Sequence, residues 1–85
     1  MAVYKVLFRV SVEKDFAVIP KRDLKKILQR IRTLTDEPRP LGCEKLTGQD
    51  RVRVRYGRYR IVYSIQDREL TVWVVKVGRR KDIYR

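Results

Sequence analysis

The chain has no histidine, a single cysteine and only 10 acidic residues against 22 lysines and arginines. Each shortage excludes something. Without histidine, the side chain that most often serves as general base and metal ligand is missing. One cysteine, Cys43, rules out both a disulfide framework and a cysteine-based metal cluster, so no cofactor is expected. No apolar run approaches the ~20 residues of a membrane-spanning helix. Residues Met1 to Val10 carry Lys5 and Arg9 inside a strand-like pattern and lack the layout of a secretory signal, which fits a cytoplasmic location. The shortage of acid leaves a net charge of +12 on 85 residues. Such an excess pulls toward nucleic acid, an anionic membrane surface or an acidic protein.

A hydrophobic content of 44% argues for a globular fold rather than disorder. The length suits one domain, 1–85, with no repeat, linker or low-complexity segment. A chain this short buries only about 60–65% of the surface it exposes when unfolded, so its core is small.

The order of elements follows from periodicity and punctuation. Val3 to Arg9 alternates as a strand, and Leu7 among its polar residues makes both faces partly apolar, which predicts an inner strand. Ser11 is placed to cap a short helix from Val12 to Ile19, with Phe16 and Ile19 turned inward. Pro20 suits the first turn of a second helix. In that helix Leu24, Ile27, Leu28, Ile31 and Leu34 recur at helical spacing and basic residues cover the remaining surface, until Pro38 stops it. Pro38 to Gly42 is a loop by composition, and a short extended piece is expected from Glu44 before Gly48. The rest reads as strands: a hairpin, then Ile61 to Gln66, a turn at Asp67-Arg68, and Glu69 to Val77. One face, carrying Val52, Val54, Tyr56, Ile61, Tyr63, Ile65, Leu70, Val72 and Val74, is expected to pack on Leu24, Ile27, Leu28 and Ile31. The fold class is therefore α+β, a β-α-α-β-β-β chain with a helical hairpin on one face of a small, mostly antiparallel sheet.

The other face is chemically the more informative. Residues 51 to 60 read Arg-Val-Arg-Val-Arg-Tyr-Gly-Arg-Tyr-Arg. In an extended strand the alternating arginines share one side. Gly57 at the first position of a two-residue turn suits type II′, which pairs Tyr56 with Tyr59, Arg55 with Arg60 and Val54 with Ile61. Like charges directly opposite each other cost about 0.2–1 kcal/mol. Stability alone gives no reason for that arrangement. An anionic ligand across the face does, and RNA is the leading candidate.

At this point the chain resembles the RelE/ParE superfamily of toxins, and within it the RelE messenger-RNA interferases. The resemblance runs through Lys14-Asp15-Phe16 with Ile19-Pro20, then Pro38-Arg39-Pro40 with Gly42 and Lys45 to Gly48. It continues through Tyr59-Arg60-Ile61-Val62-Tyr63 and ends in Val77-Gly78-Arg79-Arg80 with Ile83-Tyr84-Arg85. It implies a toxin neutralised by a cognate acidic antitoxin, with operator DNA as a target of the toxin–antitoxin complex. It further implies metal-independent cleavage of mRNA in the ribosomal A site through attack by the 2′-hydroxyl. The family's catalytic positions correspond to Arg53, Arg55, Arg60, Arg80 and Tyr84. Two features depart from the pattern. The family's reference members carry lysines at the positions of Arg53 and Arg55, and the segment between Arg80 and Tyr84 is shorter here.

Each position fits a task. A guanidinium presents a planar fork of donors to phosphate oxygens. Arg60, fixed mid-strand, is the expected stabiliser of charge on the phosphoryl group. Arg80 is expected to stabilise or protonate the leaving oxygen, Arg53 and Arg55 to hold the phosphates, and Tyr84 to stack on a base or orient the 2′-hydroxyl. Arg51, Arg58, Arg79, Lys81, Lys21 and Lys25 are candidate RNA contacts. Arginine is a poor proton acceptor, so with no histidine, lysine or carboxylate expected on this face, activity on free RNA is expected to be slow. Two other readings stay open. One is a gyrase-inhibiting toxin of the ParE branch. The other is a non-catalytic nucleic-acid-binding or regulatory module that keeps only the charge.

Overall fold

Val52, Val54 and Tyr56 alternate with arginines, and Tyr59, Ile61, Tyr63 and Ile65 alternate on the next segment, so both strands have an apolar side to bury. In the computed structural model, which describes residues 3–46 and 51–79, they form the centre of a five-stranded sheet. The elements are β1 (Lys5–Phe8), α1 (Val10–Ala17), α2 (Lys21–Thr33), β2 (Glu44–Lys45), β3 (Arg51–Tyr56), β4 (Tyr59–Gln66) and β5 (Thr71–Arg79). The strand order is β1-β5-β4-β3-β2. β1 runs parallel to β5, and every other pair is antiparallel. The α+β fold expected from the sequence is the fold observed.

The β3–β4 hairpin has the expected register, with Arg55 opposite Arg60 and Tyr56 opposite Tyr59. Gly57 takes φ +58, which an L side chain adopts only with strain, whereas Arg58 keeps a negative φ. That combination is the type II′ pattern.

Ile27, Ile31 and Leu34 of the second helical segment pack with Val12 and Ile19 against Val54, Ile61, Tyr63, Val72, Val74 and Val77. Each such side chain contributes about 1.5–3 kcal/mol relative to leaving it in water. Leu28, expected in this stripe, is exposed instead. At 100° per residue it sits at the margin of the arc defined by Leu24, Ile27 and Ile31. The first helix also differs from expectation. It starts at Val10, one residue ahead of Ser11, with Arg9 as N-cap and no side-chain cap, and Ile19 lies beyond its end. Pro20 is the N-cap of α2 rather than a residue of its first turn.

β1 is an edge strand, not an inner one, and Leu7 and Phe8 are partly exposed. Arg9, just past the end of β1, lays its guanidinium over the Trp73 ring, 5.2 Å from the centroid. The β4–β5 connection is longer than the expected two-residue turn. Asp67–Glu69 form a short 3₁₀ turn and Leu70 follows in the left-handed region at φ 48. A residue in that conformation cannot continue a strand, so Leu70 leaves the core face and is exposed. The pairing consequently slides by two residues, Ile65 meeting Val72 rather than Leu70. From Ile65 to Tyr63 a slide of two keeps each side chain on its expected face, because strands have period two; beyond Tyr63 the offset becomes three and Val77 joins the core.

One irregularity in β5 matters for the site. Val62 pairs with Lys76 while Tyr63 pairs with Val74, so Val75 is an extra, bulged residue. Beyond the bulge, α1 covers the strand where β1 has ended. Asp15 accepts a hydrogen bond from the Val77 amide at 3.1 Å and one from Lys76 Nζ at 3.3 Å.

Candidate anion-binding site

The helices occupy one face of the sheet, and the arginines stand on the other. Cross-strand pairing sets them in rows. Glu44, Arg53, Val62 and Lys76 form one row across β2, β3, β4 and β5, and Arg55, Arg60 and Gly78 form the next. Arg60 is only 2% exposed although it lies on the outward face. Arg53 is largely buried and Arg55 is exposed.

Glu44 reports how these groups are arranged. Its carboxylate accepts a hydrogen bond from Arg53 Nη2 at 3.1 Å. That bond and the charge of Arg53 hold the Glu44 carboxyl below the ordinary carboxylate range. Arg60 and Arg55 add to the effect, and the small loss of hydration opposes it. One carboxylate therefore feels three guanidinium groups. Arg53 touches that carboxylate, and Arg55 and Arg60 are cross-strand neighbours in the adjoining row of the same face. The sheet sets up that neighbourhood, since β2, β3 and β4 bring Glu44, Arg53, Arg55 and Arg60 side by side.

A carboxylate on this face was not expected. Its signal was nonetheless present. The short extended piece beginning at Glu44 becomes β2, and antiparallel pairing with β3 places Glu44 opposite Arg53.

The remaining candidates are dispersed. Arg51 stands exposed at the start of β3, one row removed, opposite Ser64. Arg58 is exposed at the hairpin tip. Arg79 pairs with Tyr59, whose side chain faces the helices, so Arg79 lies on the side of the sheet away from Arg60. Lys21 and Lys25 are exposed on α2, in the helical layer behind the sheet. Arg80, Lys81 and Tyr84 lie outside the described residues.

The residues around the site are held by specific polar contacts. Tyr59 Oη donates to Asp23 at 2.7 Å, and this bond raises the phenol pKa above its usual value. Tyr63 Oη donates to the Pro38 carbonyl at 2.7 Å, and burial pushes its pKa far up. These bonds tie β4, the strand carrying Arg60, to α2 and to the Pro38 loop. Among the described residues no cluster of histidine, cysteine or carboxylate side chains could hold a metal ion. No helix there is long and apolar enough to cross a membrane. The face presents positive charge from adjacent strands, of a kind that attracts anions.

Residues 6–84 match the family model described as the ParE toxin of type II toxin–antitoxin systems. The chain is 33% identical to toxin RelG of Mycobacterium tuberculosis over 86 aligned positions, covering 96% of this chain and 97% of that one. It is 31% identical to toxin RelE1 of Methanocaldococcus jannaschii, covering 96% of each. Among solved structures, the RelBE2 toxin–antitoxin complex of M. tuberculosis superposes with a TM-score of 0.82 at 27% identity, over 92% of this chain and 99% of that one. The archaeal RelE–RelB complex of Pyrococcus horikoshii gives 0.77 at 28% identity, over 94% and 97%.

Proposed function

We propose that this chain, which belongs to the ParE toxin family of type II toxin–antitoxin systems and is a RelE-type toxin, acts as a ribosome-dependent endoribonuclease. Its partner is a cognate antitoxin, in keeping with the complexes its structural relatives form. The observation that supports the reading is the placing of Arg53, Arg55 and Arg60 in adjoining rows on the sheet face away from the helices.

The reaction is transesterification. The 2′-oxygen attacks phosphorus, the bond from phosphorus to the 5′-oxygen breaks, the 2′-hydroxyl loses its proton and the departing oxygen gains one. The products are a 2′,3′-cyclic phosphate and a 5′-hydroxyl. Arg60, buried and fixed by its strand, stabilises charge building on the phosphoryl oxygens. Preorganised donors of this kind are worth about 10²–10³ in rate. Arg53 and Arg55 hold the scissile phosphate and its neighbour. Arg80 and Tyr84 are assigned to the leaving oxygen and to the base or 2′-hydroxyl on family resemblance. None of the three clustered guanidinium groups is a useful proton acceptor at neutral pH, so the ribosome supplies the RNA geometry.

The test is primer extension on mRNA in a reconstituted translation system, comparing wild type with Arg60→Ala. Discrete cuts within codons that vanish in the variant support the reading. Naked RNA cut as fast as ribosome-bound message overturns it. The matching family model is named for ParE toxins, which keeps open a second reading, the gyrase inhibition that resemblance to the ParE branch implies. Intact message together with trapped gyrase–DNA cleavage complexes selects that alternative.

A further inference from the structure

We infer that Glu44 is a resident counter-ion of the arginine cluster, a specificity-determining residue that a phosphodiester must displace from Arg53 in order to bind. The inference rests on the phosphate-binding role assigned to that cluster above.

Three observations carry it. First, Glu44 is placed there by the backbone. It pairs with Arg53 across β2 and β3, and its Oε2 lies 3.1 Å from Arg53 Nη2. Second, Arg60 and Arg55 also favour its charged form, so the carboxylate lies within the reach of all three arginines' charge. Third, the partners differ in exposure. The Glu44 side chain is 57% exposed and that of Arg53 19%. The arginine is fixed by its surroundings, whereas the carboxylate is in contact with water and can swing out without being stranded in an apolar medium. Exposed ion pairs are weak, so displacement by a better-matched anion is readily reversible.

The alternative task for a carboxylate here is to accept the 2′-hydroxyl proton. The electrostatics disfavour it. A general base works best with a pKa near the working pH, and Glu44 is shifted in the opposite direction. As a counter-ion its effect is selective. A phosphate that engages only Arg53 gains little over the carboxylate already there. A phosphate held so that Arg53, Arg55 and Arg60 engage together replaces one weak pair with several charge-assisted bonds. Stray single-stranded nucleic acid is thereby disfavoured relative to RNA presented in a fixed geometry.

The experiment measures binding of the full chain to a 2′-O-methyl RNA decamer, which cannot be cut through its 2′-oxygen, and to single-stranded DNA of the same sequence. Fluorescence anisotropy is recorded over a range of salt. Glu44→Gln is compared with Glu13→Gln, which makes the same change in net charge on exposed α1, away from the cluster. Glu44→Gln is expected to tighten binding to both oligomers by about threefold to tenfold at low salt, and to steepen the slope of log K against log salt by up to about 0.7. Glu13→Gln should leave the slope unchanged. Cleavage of naked RNA should rise in Glu44→Gln. Unchanged affinity with abolished cleavage of ribosome-bound message would identify a proton acceptor and overturn the inference. So would equal effects of the two substitutions. The binding comparison needs no cleavage, so a wild-type chain that fails to cut ribosome-bound message refutes the nuclease reading separately.

Discussion

Arg55 and Arg60 stand directly opposite each other on the β3–β4 hairpin, yet one is open to solvent and the other is 2% exposed. The like-charged pair thus divides into a fixed member and an adaptable one. Substitution by lysine should separate them. An ammonium cannot present the planar fork of a guanidinium, so Arg60→Lys is expected to slow cleavage of ribosome-bound message by about 10²–10³. Arg55→Lys should slow it by less than about tenfold, since a mobile point charge still reaches a phosphate. Single-turnover cleavage, with circular dichroism to confirm folding, decides the matter. Equal losses would contradict the division of roles.

The buried hydroxyl of Tyr63 makes a different prediction. Tyr63→Phe leaves the buried Pro38 carbonyl without its 2.7 Å donor and should lower stability by about 1–2 kcal/mol. For a domain of this size that is a fall in Tm of about 4–16 °C. Because burial raises the Tyr63 pKa above its ordinary 10, the stabilisation is complete below that value and declines as pH rises past it. The gap between wild type and variant should therefore narrow above about pH 10 in a thermal denaturation series.

Acid acts through a separate group. Asp67 is held down to about 2 from an ordinary 3.8, chiefly by its hydrogen bonds from Arg39 and then from Tyr4. A depressed carboxyl contributes stability above its unfolded pKa and loses it as pH falls toward the folded value. The difference in Tm between wild type and Asp67→Asn should be constant above about pH 5 and shrink between there and pH 2. The group is exposed, so the difference is expected to be small. A gap that widened on acidification would refute the assignment.

Asp15 tests whether the bulge is held by α1. Asp15→Ala removes the acceptor for the Val77 amide and Lys76 Nζ, and should cost about 1.5–3 kcal/mol. The local readout is amide exchange. Val77 should lose protection by a larger factor than amides of β3, which have no contact with Asp15.

The parts legible in the sequence were those fixed by local rules. Gly57 set the hairpin register because a type II′ turn needs a positive φ at that point, and period two then placed Arg53, Arg55 and Arg60 on one face. The stripe of Ile27, Ile31 and Leu34 followed from helical spacing. The parts missed depend on contacts between distant segments. Nothing local marks Val75 as a bulge, because a run of consecutive β-branched residues fits a regular strand equally well. The left-handed Leu70 reads as one more apolar strand residue. β1 looked internal because Leu7 is apolar, whereas its neighbour is supplied on one side alone. Glu44 was unreadable as part of the site until β2 was paired to β3. A two-residue strand carries too little pattern to announce its partner.

The parallel pairing of β1 with β5 joins Lys5 to Thr71 and Phe8 to Val74. The opening strand therefore waits for most of the polypeptide before its hydrogen-bonding edge is satisfied. Long-range closures of this kind slow folding. During synthesis the early segments must persist without their final neighbour, and the guanidinium cluster on β3 and β4 reaches its finished form only when translation has passed β5. The arginine face is thus among the last parts of the sheet to gain its full set of neighbours.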